Sequence, residues 1–213
     1  MDIKLIPESQ VSNSEDFITF KIIIIGDSNS EKWAILKRAV KNSYDEGYQA
    51  KIGFEFLLMY FVVNDLKIKI QIYDTCGQEM YRSLIQGFYR NTSLVLLVYD
   101  ITSKSSFEGL DIWLKDVYSH DPEMPIFIIG NKDDLENERQ ISLEEAKEFS
   151  LSRKVKYFTE CSAKTGHNVK NIFYEAAKYL YNSYKQNGKK STIPSNTIKI
   201  RLDNNIKKKK KFC

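Results

Sequence analysis

The stretch Phe20-Lys-Ile-Ile-Ile-Ile-Gly-Asp-Ser-Asn-Ser-Glu-Lys-Trp33 decides the reading of this chain. Phe20–Ile25 is apolar apart from Lys21 and dominated by β-branched residues, the pattern of a strand buried on both faces. It leads into Gly26, Asp27, Ser28, Asn29, Ser30, Glu31, Lys32 and Trp33. That segment keeps the frame of a phosphate-binding loop, Gly-x-x-x-x-Gly-Lys-Ser/Thr, set between a strand and a helix. Gly26 and Lys32 stand in place, but Glu31 occupies the second Gly and Trp33 the Ser/Thr. The frame predicts a nucleotide-binding fold, and the substitutions predict altered or lost chemistry at the phosphates.

Working outward, Lys32–Lys41 has helical spacing, with Trp33, Ile35, Leu36, Ala39 and Val40 apolar. Phe54–Val63 and Lys67–Tyr73 read as an antiparallel hairpin turning at Asn64-Asp65, the second strand alternating Ile68, Ile70 and Ile72 with polar residues. Strands then alternate with helices. The strands are Ser93–Ile101, Pro125–Gly130 and Val155–Thr159. The helices are Ser103–Tyr118, Ser142–Arg153 and Asn168–Gln186, the second opening on a capping box, Ser142 to Glu145. This order implies right-handed βαβ units and a mostly parallel sheet, which binds ligands at the carboxyl ends of its strands.

The 213 residues fit one domain, expected at 20–184, with a loose extension over 1–19 and a basic tail over 185–213. No apolar run approaches the roughly 18 residues of a membrane span. The polar start predicts no signal peptide, and Asp2 excludes N-myristoylation. Three cysteines, Cys76, Cys161 and Cys213, argue for a reducing compartment rather than a disulfide framework. Net charge is +4, but the segment from Lys185 on holds ten Lys/Arg against Asp203, which is +9 and leaves −5 for the rest. The basic character lies in the tail, so a nucleic-acid-binding domain is not indicated.

Three further motifs fall at strand ends. Asp74-Thr-Cys-Gly-Gln78 offers a carboxylate for a Mg²⁺-bound water, a backbone N–H at Gly77 for a terminal phosphate, and Gln78 to orient an attacking water. Asn131-Lys132-Asp133-Asp134 offers the Asp134 carboxylate to the N1–H and N2–H₂ edge of guanine, which adenine lacks, and the Lys132 stem to the base. Ser162-Ala163-Lys164 offers the Ala163 N–H to guanine O6. Each motif alone also reads as an ordinary strand-ending turn or a solvated loop. Their order and spacing carry the information.

With these residues in hand, the chain resembles a small GTPase of the Ras superfamily and, within it, a Rab, over roughly Phe20 to Tyr184. Ile52–Phe56, Lys69–Glu79, Tyr81–Arg90, Leu97–Thr102 and Asp111–Leu114 match Rab-distinguishing segments, and Tyr48–Gly53 looks most like the Golgi-associated subfamily. The resemblance implies a P-loop, three-layer α/β fold. Its six-stranded, mostly parallel sheet would have one antiparallel edge strand. It also implies GTP/GDP switching and hydrolysis in vesicle traffic. By motif, Tyr44 would pack on the guanine, and Phe56, Tyr73 and Phe88 would form the aromatic cluster that effectors read, with Tyr73 where a Trp is usual. Implied partners are effectors, exchange factors, activating proteins, and escort and dissociation-inhibitor proteins. The implied state is a monomer on the cytosolic face of an endomembrane.

Three departures surround the γ-phosphate and the metal. Trp33 supplies no hydroxyl for Mg²⁺, and Lys51 stands where the first switch offers a Thr ligand. Asp74 is then the one metal-serving residue left, acting indirectly. Glu31 adds a carboxylate near the polyphosphate. Asn29 also replaces a Gly, although Asn tolerates φ > 0. Two readings stay open: a GTP-binding protein with impaired Mg²⁺-dependent hydrolysis, or a nucleotide-free pseudo-GTPase serving as a protein-binding scaffold. An ATP-using enzyme fails on Asn131–Asp134. The tail ends in five lysines, Phe212 and Cys213; it is not a CaaX box, but the resemblance implies prenylation of Cys213 with electrostatic support from the lysines, the alternative being a basic tail with an unmodified Cys.

Overall fold

The computed structural model describes residues 1–12, 15–46, 55–74 and 87–187. Seven strands form one sheet: β1 Ile3–Ile6, β2 Ile18–Ile25, β3 Glu55–Val63, β4 Leu66–Asp74, β5 Leu94–Asp100, β6 Ile126–Asn131 and β7 Tyr157–Cys161, in the order β1-β3-β4-β2-β5-β6-β7. β2, β4, β5, β6 and β7 pair in parallel, and β3 pairs antiparallel with both β4 and β1. The helices are α1 Lys32–Lys41, α2 Lys104–Glu108, α3 Leu110–His120, α4 Leu143–Ser152 and α5 Val169–Asn187.

Two apolar layers sandwich the sheet, and strand alternation divides them. Phe20, Ile22 and Ile24 pack with Ile35, Leu36 and Ala39 of α1 and with Ile172, Phe173, Ala176 and Leu180 of α5. Ile23 and Ile25 face the other way, toward Phe107 of α2, Leu110, Trp113, Leu114 and Val117 of α3 and Ala146 of α4. β2 therefore needs apolar side chains at successive positions, as a strand covered on both faces does.

The sheet has seven strands, not the expected six, because residues 1–19 are not simply a loose extension. Ile3–Ile6 pairs with Tyr60–Val63, and the Asn64 N–H donates to the Asp2 carbonyl at 2.8 Å. Half-buried Ile3 and Leu5 join the core on the α5 side, which closes part of an edge that would otherwise offer unpaired backbone groups.

The expected helix over 103–118 is two helices meeting at Gly109. A Cβ there would sit 2.6 Å from Asp27 Oδ2, so the missing side chain lets the phosphate-loop residue approach. His120 closes α3, and α5 carries the chain in helix to Asn187, past the expected tail boundary at 185. Cys161 is a buried packing residue, and burial pushes its thiol pKa well up. Ser142 caps α4 by accepting from the Glu145 N–H at 3.1 Å.

Candidate functional site

The parallel register lines up the ends of three strands: Asp100 lies opposite Asn131, and Asn131 opposite Cys161. The loop after β2 opens beside them. Gly26 has φ +137°, and a Cβ on it would lie 2.1 Å from the Val98 carbonyl oxygen. Only glycine fits that turn. Ser28 and Asn29 are exposed, while Ser30 is fully buried. Lys32, only 6% exposed, donates from Nζ to the Asp27 carbonyl at 2.8 Å and lies 3.4 Å from Ser30 Oγ. Ser30 Oγ in turn donates to the Asp27 carbonyl at 2.8 Å. Asp27 is held from outside, its Oδ1 accepting from Trp113 Nε1 at 2.7 Å. Asn29 and Glu31 both adopt left-handed backbone, at φ 66° and 58°.

Asn131 is the hub of the site. Its side chain is wholly buried; Nδ2 donates to the Ser30 carbonyl at 2.9 Å, and Oδ1 accepts from the Ala163 N–H at 3.1 Å. One amide thus ties the phosphate loop, the end of β6 and the loop after β7. The Ala163 N–H, expected to face a guanine oxygen, already has this acceptor, so a base would have to share it. Arg38 of α1 adds a second tie. Its Nε donates to the Ala163 carbonyl at 2.8 Å, its Nη1 to the Asn42 carbonyl at 3.1 Å and its Nη2 to the Lys164 carbonyl. Ser162 is buried, its Oγ accepting from the Thr165 N–H at 2.9 Å, and Lys164 is exposed.

Lys132 leaves β6 in left-handed backbone, φ 71°, and places Nζ 2.7 Å from Asp100 Oδ2 and 3.9 Å from Glu31 Oε1. Asp100 is 6% exposed and also accepts from Thr102 N–H and Oγ at 2.8 and 2.7 Å, which fixes the carboxylate. Asp134 is exposed at the start of a short 3₁₀ helix, Asp133–Glu138. Tyr44 is half-buried, and its hydroxyl donates to Glu31 Oε1 at 3.3 Å. Burial first, then the charges of Glu31, Glu46 and Asp134, hold the Tyr44 pKa above its usual value, so the hydroxyl stays a donor.

Trp33 begins α1 with its ring half-buried against the α1–α5 apolar layer. Indole carries no oxygen donor, so this position does not fit Mg²⁺. Asp74 closes β4, in register with Glu55 of β3. Lys51, Cys76, Gly77, Gln78 and Cys213 lie outside the described residues.

Beside β2 the expected aromatic cluster is assembled. Phe56 and Tyr73 stack with centroids 5.9 Å apart, Tyr73 and Phe88 approach to 6.0 Å, and Phe56 is 57% exposed. Lys21 lies over Tyr73 and Phe88 at 5.2 and 5.5 Å and donates to the Phe88 and Arg90 carbonyls at 2.6 and 3.0 Å. Burial lowers its pKa.

A profile of the Ras family matches residues 21–182. The chain belongs to the Ras family of small GTPases. Within that family its relatives are Rab proteins. It is 35% identical to the Ras-related protein RABA1c of Arabidopsis thaliana over 90% of this chain and 91% of that one. It is 38% identical to RABF2a of the same plant over 79% of this chain and 84% of that one. It is 36% identical to human Rab-30 over 81% and 84%. This Rab-like chain departs from the phosphate-loop pattern at Glu31 and Trp33. Asp100, Arg38 and Lys21, which the sequence reading did not single out, organise the site. For Asp100 the signal was present: a lone acid closing the apolar run Leu94–Tyr99.

Proposed function

We propose that this chain is a guanine-nucleotide-binding Rab-like protein that recruits effectors in vesicle-mediated transport, with metal-assisted GTP hydrolysis impaired. The observation that carries the reading is the Asn131 bridge. Ser30, Asn131 and Ala163 are tied to one another by protein hydrogen bonds alone, so Lys132 and Asp134 would leave a fixed strand end as a pre-organised base-reading pair. Asp134 would accept from the guanine edge and Lys132, held by Asp100, would lie along the ring. The loop of Gly26 to Lys32 would cradle the phosphates with Lys32 supplying positive charge. Ser162 and Lys164 would frame the base from the far side.

On the metal side the donor set fails. Trp33 presents carbon and an N–H where an oxygen is needed, so no hydrolytic step is assigned to Mg²⁺. Gln78 is the residue that would orient water if hydrolysis occurs. Phe56, Tyr73 and Phe88, supported by Lys21, would receive an effector. Prenylation of Cys213 beside the five-lysine tail would hold the protein on an endomembrane, the Golgi by subfamily likeness. No helix among the described residues is long and apolar enough to cross a membrane.

The test is Asp134→Asn. Asn presents a donor where the carboxylate accepted, and xanthine presents a carbonyl where guanine carries its amino group. Calorimetry should find GDP binding weakened at least tenfold and xanthosine diphosphate binding strengthened. Unchanged GDP affinity in the variant removes Asp134 from base recognition and overturns the reading.

A further inference from the structure

The Glu31 side chain is engaged by two neighbours from other parts of the chain. A single carboxylate oxygen, Oε1, accepts from the Tyr44 hydroxyl at 3.3 Å and lies 3.9 Å from the Lys132 ammonium. Tyr44 follows α1 and Lys132 follows β6, so the oxygen joins two loops that share no backbone pairing. The Glu31 and Lys132 side chains are 31% and 19% exposed, so the contact is partly shielded from water and salt. Glu31 itself begins α1 in left-handed backbone, φ 58° and ψ 40°, a conformation that costs a non-glycine residue energy unless something holds it.

We propose that Glu31 is an internal latch on the base slot: its carboxylate bridges Tyr44 and Lys132, and a guanine base must displace it to lie between them. The inference rests on the guanine-binding reading above and adds a regulatory device to it. The position is a glycine in the phosphate-loop pattern, which has no side chain to latch. The closed latch occupies the two groups that would contact the base, so it lowers apparent affinity by the fraction of time the slot is closed. Asp100 holds Lys132 by a separate contact at 2.7 Å that does not involve Glu31.

Guanosine separates this latch from phosphate repulsion, because it has a base and no phosphate. Binding of guanosine and of GDP is measured in EDTA by NMR titration and calorimetry on the full chain, for the wild type, Glu31→Ala, Glu31→Gln and Tyr44→Phe. The latch predicts that Glu31→Ala tightens both ligands by about tenfold, equal to about 1.4 kcal/mol. Tyr44→Phe, which removes one hold and keeps the ring, tightens guanosine by a smaller factor. Glu31→Gln keeps a hydrogen-bonding group of the same length and gains less guanosine affinity than Glu31→Ala. A gain for GDP with guanosine unchanged within twofold means that Glu31 acts by charge on the phosphates, and overturns the latch alone. Failure of every variant to bind either ligand overturns the guanine reading, and the latch with it.

Discussion

Replacing Asn131 by alanine tests the bridge on which the site is built. The side chain is wholly buried, and its removal leaves two backbone groups without their partners, the Ser30 carbonyl and the Ala163 N–H. A buried polar group left unsatisfied costs about 1–3 kcal/mol, so the pair should cost about 3 kcal/mol after partial relaxation. For a domain of this size, each kcal/mol moves Tm by about 2–4 °C, giving a fall of roughly 6–12 °C. Asn131→Asp is the informative companion. Its carboxylate can still accept from Ala163 but cannot donate to Ser30, so it keeps one tie and places a charge in a buried position. Thermal and urea unfolding of protein stripped of nucleotide by reversible unfolding, followed by circular dichroism, give the numbers without ligand linkage. A loss below about 0.5 kcal/mol in Asn131→Ala would mean that the loops hold their places without the amide, and pre-organisation of the base-reading pair would have no basis.

Two other perturbations follow from the geometry. Tyr99 is fully buried, and burial first, with the Glu160 charge next, drives its pKa far above the usual value of about 10. Its folded pKa exceeds its unfolded one, so its contribution is whole below pH 10 and is lost as pH rises beyond that, at up to about 1.4 kcal/mol per pH unit. Tyr99→Phe should flatten the alkaline slope of unfolding free energy by that amount; an unchanged slope between pH 10 and 11 contradicts the assignment. Gly109→Ala places a Cβ within 2.6 Å of Asp27 Oδ2 and should break the 2.7 Å bond from Trp113 Nε1, costing about 1–2 kcal/mol and altering indole fluorescence. Fluorescence and melting curves identical to wild type would show that the phosphate loop is not moored to α3.

Much of the architecture was legible because periodicity and burial coincide. The four successive isoleucines of β2 need apolar surroundings on both faces, and the helices over 32–41 and 142–152 announce themselves by spacing and cap. β1 was not legible: four residues, three of them half-buried, carry too little pattern, and their pairing with Tyr60–Val63 spans about sixty residues of chain. The division at Gly109 depends on Asp27, a contact invisible in local sequence. At the site the residue types were readable and their partners were not. Asn131 reads as a loop amide, but its buried bonds run to Ser30 and Ala163, from two other loops. Glu31 reads as a charge near phosphate, but its left-handed backbone and the hydroxyl of Tyr44 turn it toward Lys132. The expectation that the Ala163 N–H awaits a ligand missed that a nearer acceptor from Asn131 already takes it.

The proposed function joins recognition of a guanine base to a loop whose Trp33 does not fit a magnesium ion. Dissociation of fluorescent GDP from the purified full-length protein, followed in excess Mg²⁺ and again in excess EDTA, addresses it directly. The account predicts rates within about threefold of each other, since Trp33 offers the ion no oxygen. Release slowed by a hundredfold or more when Mg²⁺ is present would mean that the ion is held after all, and the account would be wrong at its centre.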